Sequence, residues 1–194
     1  MTARIAVGGK QELHVEGASD RELERLRLEV VDGTLRAWMD RDFLDYFAPV
    51  KPAFAIVITV PQLTALAVDA ESAVIASAMS GDVVSLTVGS QSNLAVRGIK
   101  ARTVQIDASS GASLTVDGAC ERNYVQISSA ASISGQGLAC VDVRVVASSG
   151  SHAILFASRA AVADASSGAH IELFGHPTSV DEQEQSDGDV DVQR

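Results

Sequence analysis

A small tripeptide returns down this chain at near-constant spacing. It reads Glu71-Ser72-Ala73, Ser90-Gln91-Ser92, Ser109-Ser110-Gly111, Ser128-Ser129-Ala130, Ser148-Ser149-Gly150 and Ser166-Ser167-Gly168. The steps between first residues are 19, 19, 19, 20 and 18. A fixed period of about 20 residues is the mark of a solenoid, in which each repeat buries its apolar face only against its neighbours. Such a repeat accounts for most residues as architecture and leaves few for chemistry.

Short alternating runs flank each tripeptide. Before it stand Leu66-Ala67-Val68, Leu86-Thr87-Val88, Val104-Gln105-Ile106, Val125-Gln126-Ile127 and Val143-Arg144-Val145; after it stand Leu94-Ala95-Val96, Leu114-Thr115-Val116, Ile154-Leu155-Phe156 and Ile171-Glu172-Leu173. A period of two is a strand with one face buried. Short strands joined by Ser/Gly turns build the coils of a parallel β-helix, stacked about 4.8 Å apart. Composition agrees. Hydrophobic residues make up 46% of the 194 positions but aromatics only 4%, so the core is thin and built from small and β-branched side chains.

The small-residue column, comprising Ser72, Ser90, Ser109, Gly111, Ser128, Ser148, Gly150, Ser166 and Gly168, reads as the place where each coil turns sharply. Only small side chains are expected to fit there, and serine bonds the local backbone. Ser186 and Gly188 extend the column into the acidic tail, and Val190-Asp191-Val192 follows like a strand. Residues 179–194 therefore read as a charged, degenerate last coil that shields the open end. The stretch Val180–Gln185 is expected to be mobile.

The first third differs. Ser19-Asp20-Arg21-Glu22 has capping-box spacing, and Leu28 to Ala37 reads as a hairpin around Asp32-Gly33. Arg41 to Pro52, with Phe43, Tyr46 and Phe47, reads as an irregular insertion covering the first coil. Phe54 to Val60 is a strand leading into the array. The expected organisation is one all-β domain, a parallel β-helix of about seven coils: a capping segment over 1–53, the β-helix repeats over 54–178, and the acidic degenerate last coil or cap over 179–194.

Charge narrows the partners. The net charge is −10, and eight of the fifteen Lys and Arg residues lie at or before Lys51. No basic stripe follows the repeats, which speaks against nucleic acid. The apolar run at Phe54–Val60 falls far short of the roughly 20 residues of a membrane helix. Met1–Gly17 contains no apolar segment of the signal-peptide kind.

The run Ile56-Val57-Ile58-Thr59-Val60-Pro61-Gln62-Leu63-Thr64-Ala65-Leu66, followed by Ser/Gly repeats, resembles the head GIN domain family, also called auto-transporter adhesins. Asp32-Gly33-Thr34-Leu35 upstream and Phe174-Gly175-His176-Pro177 near the end match the same order of motifs. The resemblance covers most of the chain. It implies a parallel β-helix of bacterial origin, secreted or envelope-associated, with no established catalysis. Ala73, Ser92 and Ala130 depart from the family's glycine, so those turns are expected to be shaped differently.

Three groups of residues are chemical candidates. Cys120 and Cys140 each lie eight residues before a repeat serine, so they stack on adjacent coils, in a column with Ala101 and Ser158. They form either a coil-to-coil disulfide or, more plainly, two buried thiols acting as small hydrophobes. His152 and His170 also stack, and are either weak metal ligands or exposed polar residues. Asp69, Asp107 and Asp164 share a column two residues before the tripeptide. A carbohydrate lyase or hydrolase needs acids that converge, and these stand about 10–14 Å apart. No nucleophile–base pair, phosphate loop or zinc motif appears. The reading is a non-enzymatic, adhesion-type surface for a protein or glycan. A polysaccharide-active enzyme and a self-assembling envelope scaffold, hence a homo-oligomer, are the alternatives. No cofactor is expected.

Overall fold

The computed structural model describes residues 1–40 and 54–193; the expected insertion at Arg41–Pro52 lies outside them. The chain opens with β1 (Thr2–Val7), β2 (Glu12–Glu16) and one short helix, α1 (Asp20–Arg25). The capping box forms as the sequence requires: Glu22 N–H donates to Ser19 Oγ, and the Ser19 N–H donates to Glu22 Oε2 at 2.9 Å. The hairpin β3 (Leu26–Val31) and β4 (Thr34–Met39) turns at Asp32-Gly33, both left-handed with φ of 49° and 75°. That geometry matches the right-handed twist of the two strands. Leu26, Ala37 and Met39 pack against the core.

The rest is a β-solenoid of about six turns. Short strands β5 (Ala55–Val60), β6 (Ala65–Val68), β7 (Ala73–Ser77) and β8 (Ser80–Val88) begin it. Long strands β9 (Asn93–Ala108), β10 (Ser113–Ile127), β11 (Ser132–Ala147) and β12 (His152–Ser166) follow, and β13 (His170–Phe174), β14 (Ser179–Gln185) and β15 (Asp189–Val192) close it. Each long strand is one whole coil, bent where the register slips, as between Val116 and Gly118. Gly118 sits at that bend with φ of 136°, and a Cβ there collides with the Ile99 backbone.

Two expectations change at the ends. β1 is a solenoid strand, parallel to β5 on one side and β7 on the other, so residues 2–7 belong to the array rather than to a cap. Residues 179–185 are not a mobile link but β14, paired in parallel with β12. The tail does form the last coil, with β15 against β13.

The turns explain the coil count and correct the column. Among the described residues, seven consecutive pairs along the array have both φ between 47° and 71°: Ala70/Glu71, Ser90/Gln91, Ser110/Gly111, Ser129/Ala130, Ser149/Gly150, Ser167/Gly168 and Ser186/Asp187. With the turn at Ser186/Asp187 included, seven turns enclose six coils, which is why the expected count of about seven is one too many. Each pair is the centre of a four-residue turn, closed by bonds such as Ala112 N–H to Ser109 O at 3.2 Å and Ser92 N–H to Gly89 O at 3.0 Å.

The expected column therefore divides among four turn positions. Ser109, Ser128, Ser148 and Ser166 come first; Ser90 and Ser186 second; Gly111, Gly150 and Gly168 third; Ser72 and Gly188 last. The constraint at the centre is backbone conformation rather than size, because exposed Glu71, Gln91 and Asp187 sit there too. Turns with and without glycine share one shape. The last position is the one that requires small side chains: Ser92, Ala112, Ala131, Ser151 and Ala169 are buried there.

Inward side chains stack in ladders. Leu94, Leu114, Ile133, Ala153 and Ile171 are successive register partners, each at most 2% exposed. Burying a Leu or Ile in this way contributes about 1.5–3 kcal/mol. Outward side chains form equally regular ladders.

Candidate functional site

Coil stacking brings some of the sequence candidates together and separates others. Cys120 and Cys140 are register partners with Cα atoms 4.5 Å apart, and the two sulfurs are bonded. Free thiols, the plainer reading of the sequence, do not describe this pair. Ala101 precedes them in the column as expected, but the next residue is Ala157 rather than Ser158, because the register shifts at the bend of β11.

The aspartates do not converge. Asp107 is paired with Thr87 and Gln126, and Asp164 with Val146 and Gln183, so Gln126 and Val146 stand between them on one ladder. Asp69 is not on that ladder, because its coil turns two residues earlier. Its carboxylate accepts the Ala70 N–H at 2.8 Å. Hydrogen bonds from Ser90 and Ala70 hold its pKa below the usual carboxylate value.

Another exposed pair spans two coils in a shallow depression with Glu121 and Arg122. Arg159 Nη2 donates to Asp142 Oδ2 at 2.6 Å and Nε to Oδ1 at 2.9 Å. This hydrogen bond lowers the Asp142 pKa and raises that of Arg159. An acid beside an arginine is the arrangement a carbohydrate-cleaving groove needs, but this one is held ionised. A general acid requires the opposite shift.

His152 and His170 stack as expected, with ring centroids 5.1 Å apart and planes at 24°. Two further residues join them. Glu172 Oε1 lies 3.4 Å from His152 Nε2 and 3.6 Å from His170 Nε2, and Asp189 Oδ2 lies 2.7 Å from His170 Nδ1. The topology accounts for all four. His152, His170 and Asp189 are successive register partners, and Glu172 follows His170 by two residues on the same outward face. Sequence reading found the histidines through their common repeat position. The signal for Glu172 was His-x-Glu within one strand, and Asp189 was hidden in the degenerate last coil.

The outer face of the middle coils carries a different patch. Tyr124, 42% exposed, stands between Gln105 and Arg144 in the register, with Ser85 one coil further. Thr87, Asp107 and Gln126 form the adjacent ladder, and these side chains line a shallow depression.

The family model described as "Putative auto-transporter adhesin, head GIN domain" matches residues 1–177. The chain belongs to this family. The head GIN domain described here is also similar in fold to solved bacterial proteins. The crystal structure of a putative adhesin from Bacteroides fragilis has a TM-score of 0.87 at 15% identity, covering 99% of this chain and 88% of that one. A putative lipid binding protein from Parabacteroides distasonis gives 0.77 at 12% identity, covering 100% and 88%. A putative adhesin from the same species gives 0.71 at 17%, covering 98% and 88%. At such identities the likeness shows the fold. No curated protein matches the chain. Among the described residues no helix is long and apolar enough to cross a membrane.

Proposed function

We propose that this head GIN domain is a non-enzymatic, extracytoplasmic binding protein of the adhesion type, and that its outward face around Tyr124 contacts a glycan. The observation that carries the reading is the chemistry of that face. A tyrosine ring stands among Gln105, Gln126, Asp107, Ser85 and Thr87. The C–H face of a sugar ring is apolar and stacks on an aromatic, while its hydroxyls seek amide, hydroxyl and carboxylate partners. A rigid parallel sheet holds these groups on ladders with a repeat of about 4.8 Å, so an extended polymer meets similar contacts on successive coils.

The non-enzymatic part rests on the acids. Asp107 and Asp164 are separated along one ladder, and Asp69 and Asp142 are held ionised by hydrogen bonds. The extracytoplasmic part rests on the family and on the disulfide, since disulfides persist in oxidising compartments. The lipid named for one structural relative is not carried over. The interior here is filled by ladders of small and branched side chains.

Screening the full chain on an array of bacterial and host-surface glycans tests the reading. Tyr124→Ala is expected to weaken the strongest interaction at least ten-fold, about 1.4 kcal/mol. Wild-type protein that binds no glycan, or a Tyr124→Ala variant with unchanged affinity, overturns it.

A further inference from the structure

We infer that His152, His170 and Glu172 form a zinc-binding site on the outer face of the last coils, with Asp189 orienting His170. Three ligand atoms, one from each of these residues, lie within 4.8 Å of one another. The shared vertex is Glu172 Oε1, with the two Nε2 atoms at 3.4 and 3.6 Å. Zinc bonds to imidazole nitrogen and carboxylate oxygen are about 2.0–2.1 Å, which at tetrahedral angles puts ligand atoms about 3.4 Å apart. The two histidine–carboxylate edges already have nearly that length. The third edge, between the two half-buried rings, is within 4.8 Å.

Asp189 supplies the independent observation. A carboxylate 2.7 Å from Nδ1 holds the proton of neutral His170 on that nitrogen. Nε2 is then left with its lone pair facing the Glu172 carboxylate. An acceptor facing an acceptor is unfavourable in the neutral ring, and a cation between them turns repulsion into ligation. Carboxylate–histidine–metal triads use this arrangement to orient the ring and raise its basicity. His14 offers a contrast: it faces Glu12 at 3.2 Å and is in no such cluster among the described residues.

Two imidazoles and one carboxylate suit zinc, and three protein ligands leave the fourth position open to solvent. Asp191, the register partner of Glu172, adds negative charge beside the site. The site is separate from the Tyr124 face, so its presence does not depend on glycan binding.

Titration calorimetry of the full chain with zinc chloride at neutral pH tests the inference. One saturable site per chain is expected. Glu172→Gln and the double variant His152→Ala/His170→Ala are expected to lose it. Asp189→Asn is expected to weaken it about 10- to 100-fold, the usual range for a residue orienting a metal ligand. Cobalt in place of zinc should give the visible absorption of a four-coordinate ion. Circular dichroism of each variant confirms the fold, and Glu172→Gln carries the test if the histidine variants do not fold. Absence of saturable zinc binding, or affinity unchanged in Glu172→Gln or the double histidine variant, overturns the proposal.

Discussion

Arg159 grips Asp142 with two nitrogens across adjacent coils, at 2.6 and 2.9 Å, although both side chains reach solvent. The pair lowers the Asp142 pKa from the ordinary value of 3.8. Its sign follows from linkage. A carboxyl with a folded pKa below its unfolded value contributes stability above the unfolded pKa, and that contribution is lost as pH falls through the folded pKa. Carbon-detected NMR titration is expected to show Asp142 more than half ionised at pH 3.8, and Arg159→Ala to return its midpoint toward the ordinary value. An unchanged midpoint in that variant contradicts the assignment.

The Cys120–Cys140 bond closes a loop with a sequence separation of 20. Chain-entropy reasoning gives such a loop about 3 kcal/mol. Replacing both cysteines by serine is expected to lower unfolding free energy in urea by about that amount. Equal stability, together with thiol reagents labelling both cysteines in untreated protein, speaks against the bond.

Asn123 occupies an inward position between Val104 and Val143, 2% exposed, and its Oδ1 has no hydrogen-bond partner among the described residues. An unsatisfied buried polar group costs about 1–3 kcal/mol. Asn123→Val completes the valine ladder at similar volume, so a rise of about 1–2 kcal/mol in urea stability is expected. A loss shows that the amide is satisfied after all.

Ala130 holds φ at 59° in a turn position where Gly111, Gly150 and Gly168 stand in other coils. The left-handed conformation costs an L-residue about 1–2 kcal/mol, partly offset by the greater unfolded-state freedom of glycine. Ala130→Gly is expected to stabilise by about 0.5–1 kcal/mol and Gly111→Ala to destabilise by a similar amount. Thermal melts that move the other way deny that backbone strain, rather than size, governs this position.

Much of the fold was legible because a period is a property of sequence itself. The solenoid, the Ser19 capping box, the Asp32-Gly33 hairpin and the acidic last coil all follow from spacing and local propensity. What sequence could not show was register. The coil beginning at Asp69 and the bend near Cys140 each slip by a residue or two, which moved Asp69 off its ladder and exchanged Ser158 for Ala157. Pairing across distant segments was equally hidden: nothing local tells β1 to insert between β5 and β7. At the histidine cluster the repeat disclosed the two rings, but the carboxylates depend on exact stacking of a strand that barely resembles its neighbours.

Amide chemical-shift mapping of isotope-labelled full chain against an array-selected glycan tests whether the ladder face around Tyr124 is the binding surface. Shifts are expected to concentrate at residues 85–87, 105–107 and 124–126. Shifts confined to the turns at 109–112 and 128–131, or to the hairpin of β3 and β4, contradict it.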